Sequence, residues 1–82
     1  MIFPDYPGHF DADPVVPGAA LLSAVQGAVG SPIVRLDRVR FLDVVRPGQD
    51  VDVRITLDDG RLRFSLWRGT VEVARGVGSV RP

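Results

Sequence analysis

The sequence contains no cysteine and a single histidine. Without thiols there is neither a disulfide nor a thiolate metal site, and one imidazole is too few for a histidine-based metal centre. No metal and no cofactor is expected. No apolar run approaches the ~20 residues of a membrane span, and the first residues carry Asp5 and prolines where a signal peptide would have a basic start and an apolar stretch. The chain therefore reads as soluble and cytoplasmic, with no membrane partner. Lysine is missing too, a mark of coding composition to which no function attaches. Ten acidic and ten basic residues are interspersed along the chain. The long-range field that draws a protein to nucleic acid is thus missing, and nucleic acid is set aside as a partner.

What is present is short. The 82 residues predict one domain over 1–82, and a chain of this size buries only roughly 60–65% of its unfolded surface. With no disulfide or metal to help, association with another chain is the remaining way to add buried area.

Four of the seven prolines (Pro4, Pro7, Pro14, Pro17) fall in Met1–Gly18, which predicts a loop. Ala19 to Val29, AALLSAVQGAV, is apolar almost all round, with Ser23 and Gln26 its only polar side chains and Gly30 and Pro32 as stop signals. It predicts a helix covered on most sides. Ile33 to Val45 carries alternating apolar residues whose phase slips near Asp37-Arg38, the sign of a bulge. Val51, Val53, Ile55 and Leu57 alternate with polar residues, Asp59-Gly60 offers a tight turn, and Leu62, Phe64 and Leu66 resume the alternation. This is a hairpin, in which Asp52 and Arg54 are expected across from Arg63 and its neighbours. After a turn at Arg68-Gly69, Thr70 to Val80 predicts a last strand interrupted by Gly76 and Gly78. The expected order is loop, buried helix and four antiparallel strands in a meander: a two-layer α+β arrangement. Trp67, on the polar phase of its strand, is expected at an interface. The charged residues of the hairpin read as a solvated strand face.

Chemistry concentrates in Tyr6 to Leu22, YPGHFDADPVVPGAALL. His9 alone has an unperturbed pKa near neutrality, which makes it the natural proton carrier, although a lone histidine in a loop is equally a structural residue. Gly18 opens the helix, whose free N–H groups and positive dipole end can hold a carbonyl oxygen that gains charge.

The order His9, Phe10, Pro14, Val15, Pro17, Gly18 resembles the H-F-x-x-x-P-V-x-P-G pattern of the hot-dog-fold 3-hydroxyacyl-(acyl carrier protein) dehydratases. The resemblance continues through Arg40-Phe41 and Val45-Arg46-Pro47-Gly48. It implies a central helix wrapped by an antiparallel sheet of about four strands, shortened at the N-terminus, in a dimer with sites at the interface. His9 would remove the proton beside a thioester carbonyl, the Gly18 N–H would bind that carbonyl oxygen, and Phe10, Val16 and Leu22 would line an acyl tunnel. The family carries a carboxylate fourteen positions after the histidine to protonate the departing hydroxyl; here Ser23 stands there. A serine hydroxyl is too weak an acid to replace it. Gln26 lies one position from the family's glutamine and has no proton to transfer, and Asp11 and Asp13 would be ionised loop aspartates.

The resemblance thus implies one chain of a (3R)-3-hydroxyacyl-thioester dehydratase of fatty acid or polyketide-type biosynthesis. Its substrate would be an acyl carrier protein thioester, and it would form a homodimer or a heterodimer with a carboxylate-bearing hot-dog protein. The alternative from another class is a non-catalytic hot-dog module that binds acyl chains or carrier protein, or scaffolds a catalytic relative. Thioester hydrolysis is the weaker reading, since it too calls for a helix carboxylate.

Overall fold

The computed structural model describes residues 1–4 and 14–81, with α1 at Gly18–Val29, β1 at Ile33–Phe41, β2 at Asp52–Asp58, β3 at Arg61–Arg68 and β4 at Val71–Val80. The strands form one antiparallel sheet in the order β1-β4-β3-β2. Helix α1 lies on one face, with Leu21, Ala24 and Val25 packed into a core with Val45, Val51, Leu62, Phe64, Leu66 and Val73. This is the α+β architecture of a hot-dog domain.

The hairpin follows from local chemistry. Asp59 (φ 51°) and Gly60 (φ 78°) both take positive φ, as a two-residue turn of strand-matching twist requires. That turn fixes Asp58 opposite Arg61 and carries the register on to Asp52 opposite Trp67. Arg63 therefore faces Thr56, and not Asp52 or Arg54 as the sequence suggested. Along β3, Leu62, Phe64 and Leu66 are buried while Arg61 and Arg63 are exposed, the alternation the sequence predicts.

Two expectations are corrected. The helix is covered on one side only: Ala19, Ser23, Gly27 and Ala28 are exposed, because the sheet backs just one face of it. The strands are also not a simple meander. β1 crosses to the far side and pairs with β4. Residues 42–51 make that crossing possible, since ten residues reach up to about 33 Å and β1 and β2 lie three strand spacings apart, about 14 Å. Gly76 and Gly78, expected to interrupt β4, are instead where β1 approaches. A Cβ on Gly76 would lie 2.5 Å from the Phe64 ring and 2.7 Å from the Arg38 carbonyl oxygen, and one on Gly78 would collide with the Arg35 carbonyl oxygen. β1 carries an irregularity between Leu36 and Arg38, where the phase slip was read, and a second between Ile33 and Arg35.

The crossing segment is stapled from several sides. Leu42 N–H donates to the Val73 carbonyl (2.9 Å), Gly48 N–H to Phe3 (2.9 Å) and Val51 N–H to Met1 (2.8 Å), so residues 1–3 pair with 48–51 and bury Phe3. At the end of β3, Arg68 donates to the Val44 carbonyl and to Asp43 Oδ2 (2.9 Å). The Val44 N–H and then Arg68 hold the Asp43 carboxyl below its usual range. A carboxyl with a lowered folded-state pKa adds stability above its unfolded value, about 3.9, and loses it as pH falls through the folded value. The melting-temperature gap between the protein and Arg68→Gln is thus expected to be full near neutrality and to narrow below about pH 4, leaving the part owed to the Val44 carbonyl. A gap unchanged into strong acid would mean that the ion pair adds nothing.

Candidate functional site at the start of the helix

The segment Pro14–Pro17 is held against the crossing segment by the Val16 N–H, which donates to the Val45 carbonyl (2.7 Å), and Val16 itself is buried. The two V-x-P-G stretches noted in the sequence therefore meet. Pro17 is extended (φ −61°, ψ 146°) and its carbonyl accepts from Ala20 N–H (2.9 Å) and Leu21 N–H (3.3 Å), which starts α1 at Gly18, one residue before the predicted start. The N–H groups of Gly18 and Ala19 have no backbone acceptor among the described residues. With the dipole of α1 behind them they can hold an oxygen that gains negative charge.

Sequence reasoning missed the neighbour of that glycine. The Phe41 ring lies over Gly18, so that a Cβ there would sit 2.8 Å from Phe41 Cζ. Glycine lets the ring rest over the first turn while it remains half exposed. The Arg40-Phe41 pair was noticed in the sequence, but nothing in its spacing says that β1 ends against the helix start.

Leu22 and Ser23 open onto another side of α1, a groove of about 480 Å³ between the helix and β1, lined also by Ala19, Ile33, Val34 and Leu36. Leu22 is half-buried and Ser23 is exposed. Five positions on a helix separate Gly18 from Ser23 by about 7.5 Å along the axis and about 140° around it. Ala19, one turn before Ser23, lines the same groove, whereas Gly18 begins the helix on another side of it. Gln26 is committed elsewhere: its Nε2 donates to the Ser31 carbonyl (2.7 Å) and its Oε1 accepts from the Ile33 N–H (2.9 Å), tying the helix end to β1. The charged residue on the groove is Arg35, which is paired with Asp37. No described carboxylate reaches the groove. His9, Phe10, Asp11 and Asp13 lie outside the described residues.

Among the described residues the arrangement can polarise a carbonyl and offers no carboxylic acid to protonate a leaving group. Beside it, the outer edge of β1 leaves Val34, Leu36 and Phe41 exposed, and that edge has no strand partner among the described residues. No described helix is long and apolar enough to cross a membrane.

Comparison with known proteins bears on the family of the chain. The ApeI-like family model, described as ApeI dehydratase, matches residues 3–77. Among curated proteins, the chain is 24% identical over 89 residues to the 3-hydroxyacyl-(acyl carrier protein) dehydratase FabZ of Caldanaerobacter subterraneus, covering 93% of this chain and 63% of that protein. It is 29% identical over 84 residues to the FabZ of Rickettsia bellii, covering 85% and 58%, and 30% identical over 66 residues to that of Oenococcus oeni, covering 65% and 48%. The chain thus spans less than two thirds of the length of these relatives. No solved structure matches it.

Proposed function

The chain belongs to the ApeI-like dehydratase family, among the hot-dog 3-hydroxyacyl-(acyl carrier protein) dehydratase-like proteins, and on that premise we propose that it is the base-bearing half of a cytoplasmic dehydratase whose acid comes from a second chain. His9 takes the proton from the carbon beside the thioester carbonyl of a (3R)-3-hydroxyacyl group on a carrier protein. The carbonyl oxygen gains charge as it does so and is held by the Gly18 N–H. The C3 hydroxyl leaves as water after taking a proton from a carboxylic acid on the partner's helix, and the trans-2-enoyl thioester remains. Val16, Leu22 and Phe10 line the acyl path. The partner pairs along the edge of β1, where the apolar Val34 and Leu36 lie beside the Ser23 groove.

The observation that carries this reading is the pairing of a Gly18 amide, which lies under Phe41 and has no backbone acceptor among the described residues, with a helix that holds no carboxylate. A base and an oxyanion site without an acid can form the enolate and return it, so exchange at C2 should outrun elimination. In deuterated water, the purified chain is expected to introduce deuterium at C2 of a 3-hydroxyacyl carrier-protein thioester with little loss of water, read by mass. His9→Ala should abolish the exchange. Absence of exchange in the unaltered chain would remove His9 as a base and leave the binding or scaffolding module.

A further inference from the structure

The charges that alternate along the sequence are sorted by the sheet. On the face away from α1, Arg38 and Arg40 of β1, Arg75 of β4, Arg63 of β3 and Arg54 of β2 are all exposed and line one concavity of about 670 Å³, with Glu72 as its only carboxylate. Arg75 reaches Glu72 at 3.6 Å, while Arg38, Arg40, Arg54 and Arg63 have no ion pair with any described carboxylate. Arg40 stands directly opposite Arg75 across β1 and β4. Like charges so placed destabilise a sheet, so the cluster is not explained by the fold's own stability. Trp67 adds a rigid support: its Nε1 donates to Ser65 Oγ (2.9 Å) and the Arg54 guanidinium lies 4.6 Å above its ring.

We propose that this face docks an acidic protein surface, specifically a helix bearing carboxylates along one side. The register places Arg40, Arg75 and Arg54 in one row about 14 Å long and Arg38 and Arg63 in a second row about 7 Å away. Carboxylates at i, i+4 and i+7 of a helix lie at about 0, 6 and 10 Å along its axis, within reach of the long arginine side chains rooted at about 0, 5 and 14 Å along the first row. Guanidinium groups bind carboxylates through paired hydrogen bonds, and arginine with tryptophan is the composition of protein interfaces. Single-stranded nucleic acid fits less well. Among the described residues one face of Trp67 is taken by Arg54 and Phe64 is buried, so this face lacks the series of open rings on which successive bases stack. The face lies across the sheet from Gly18, so it stands or falls apart from the dehydratase reading.

Trp67 is the only tryptophan of the chain and reports on this face directly. The test is its fluorescence during titration with a synthetic helical peptide carrying glutamates at i, i+4 and i+7, with the glutamine counterpart and oligothymidylate as comparisons. The expected result is saturable binding of the glutamate peptide that weakens with salt, drops severalfold in Arg40→Gln and in Arg75→Gln, and is unchanged in Arg61→Gln, which lies outside the concavity. No binding, equal binding of the glutamine peptide, indifference to both arginine substitutions, or saturation by oligothymidylate alone would overturn the proposal.

Discussion

Gly78→Val is expected to destabilise the protein by about 2–4 kcal/mol, as overpacking against backbone does, and to lower its urea midpoint accordingly. The added Cβ falls on the carbonyl oxygen of Arg35, and the Leu36 side chain stands only 3.2 Å away. Backbone cannot yield there as a side-chain tip would. Arg35 and Leu36 sit between the two irregularities of β1 and are paired to Ser79 and Gly78. Among the described residues β1 pairs only with β4, so a wedge at this point separates β1 from the sheet and uncovers Ile33 and Val39, which pack on the core. For a domain of 82 residues the whole stability is about 4–12 kcal/mol, so this one contact decides whether β1 stays docked. An unchanged midpoint would mean that β1 does not rest against β4 at Gly78. Gly18 offers a contrast, because its close neighbour is the half-exposed Phe41 ring, which can swing aside.

What was legible in the sequence is what short-range chemistry decides. The Asp59-Gly60 turn, the alternation on either side of it and the stop at Gly30 each depend on a few adjacent residues. The position of β1 depends on residues about forty apart, and its signal, glycines in β4, reads equally as interruption or as close approach. Only the carbonyls of Arg35 and Arg38 across from them decide which. The same holds at the site. Gly18 could be marked from the Pro-Gly helix start and Ser23 from the family resemblance, but Phe41 over Gly18 and Gln26 tying the helix end to β1 are contacts between elements. The arginine face was hidden for the same reason: each strand alone has an ordinary solvated side, and only the order β1-β4-β3-β2 gathers the five arginines into one cluster.

The central claim is that this chain lacks only an acid, and Ser23→Glu tests it. Ser23 is exposed on α1 beside the open edge of β1, so a glutamate there meets no core atoms and the fold should tolerate it. In a pair of such chains each site would hold His9 and Gly18 from one copy and the new carboxyl from the other, the cross-chain arrangement proposed above. A positioned general acid contributes about 10²–10⁴-fold. The measurement is loss of water from a 3-hydroxyacyl carrier-protein thioester, followed by mass, for the unaltered chain, Ser23→Glu and Ser23→Glu with His9→Ala. The account predicts that Ser23→Glu eliminates water at least about a hundredfold faster than the unaltered chain and that the second substitution removes the gain. Equal rates for the unaltered chain and Ser23→Glu, or a gain that survives loss of His9, would contradict it.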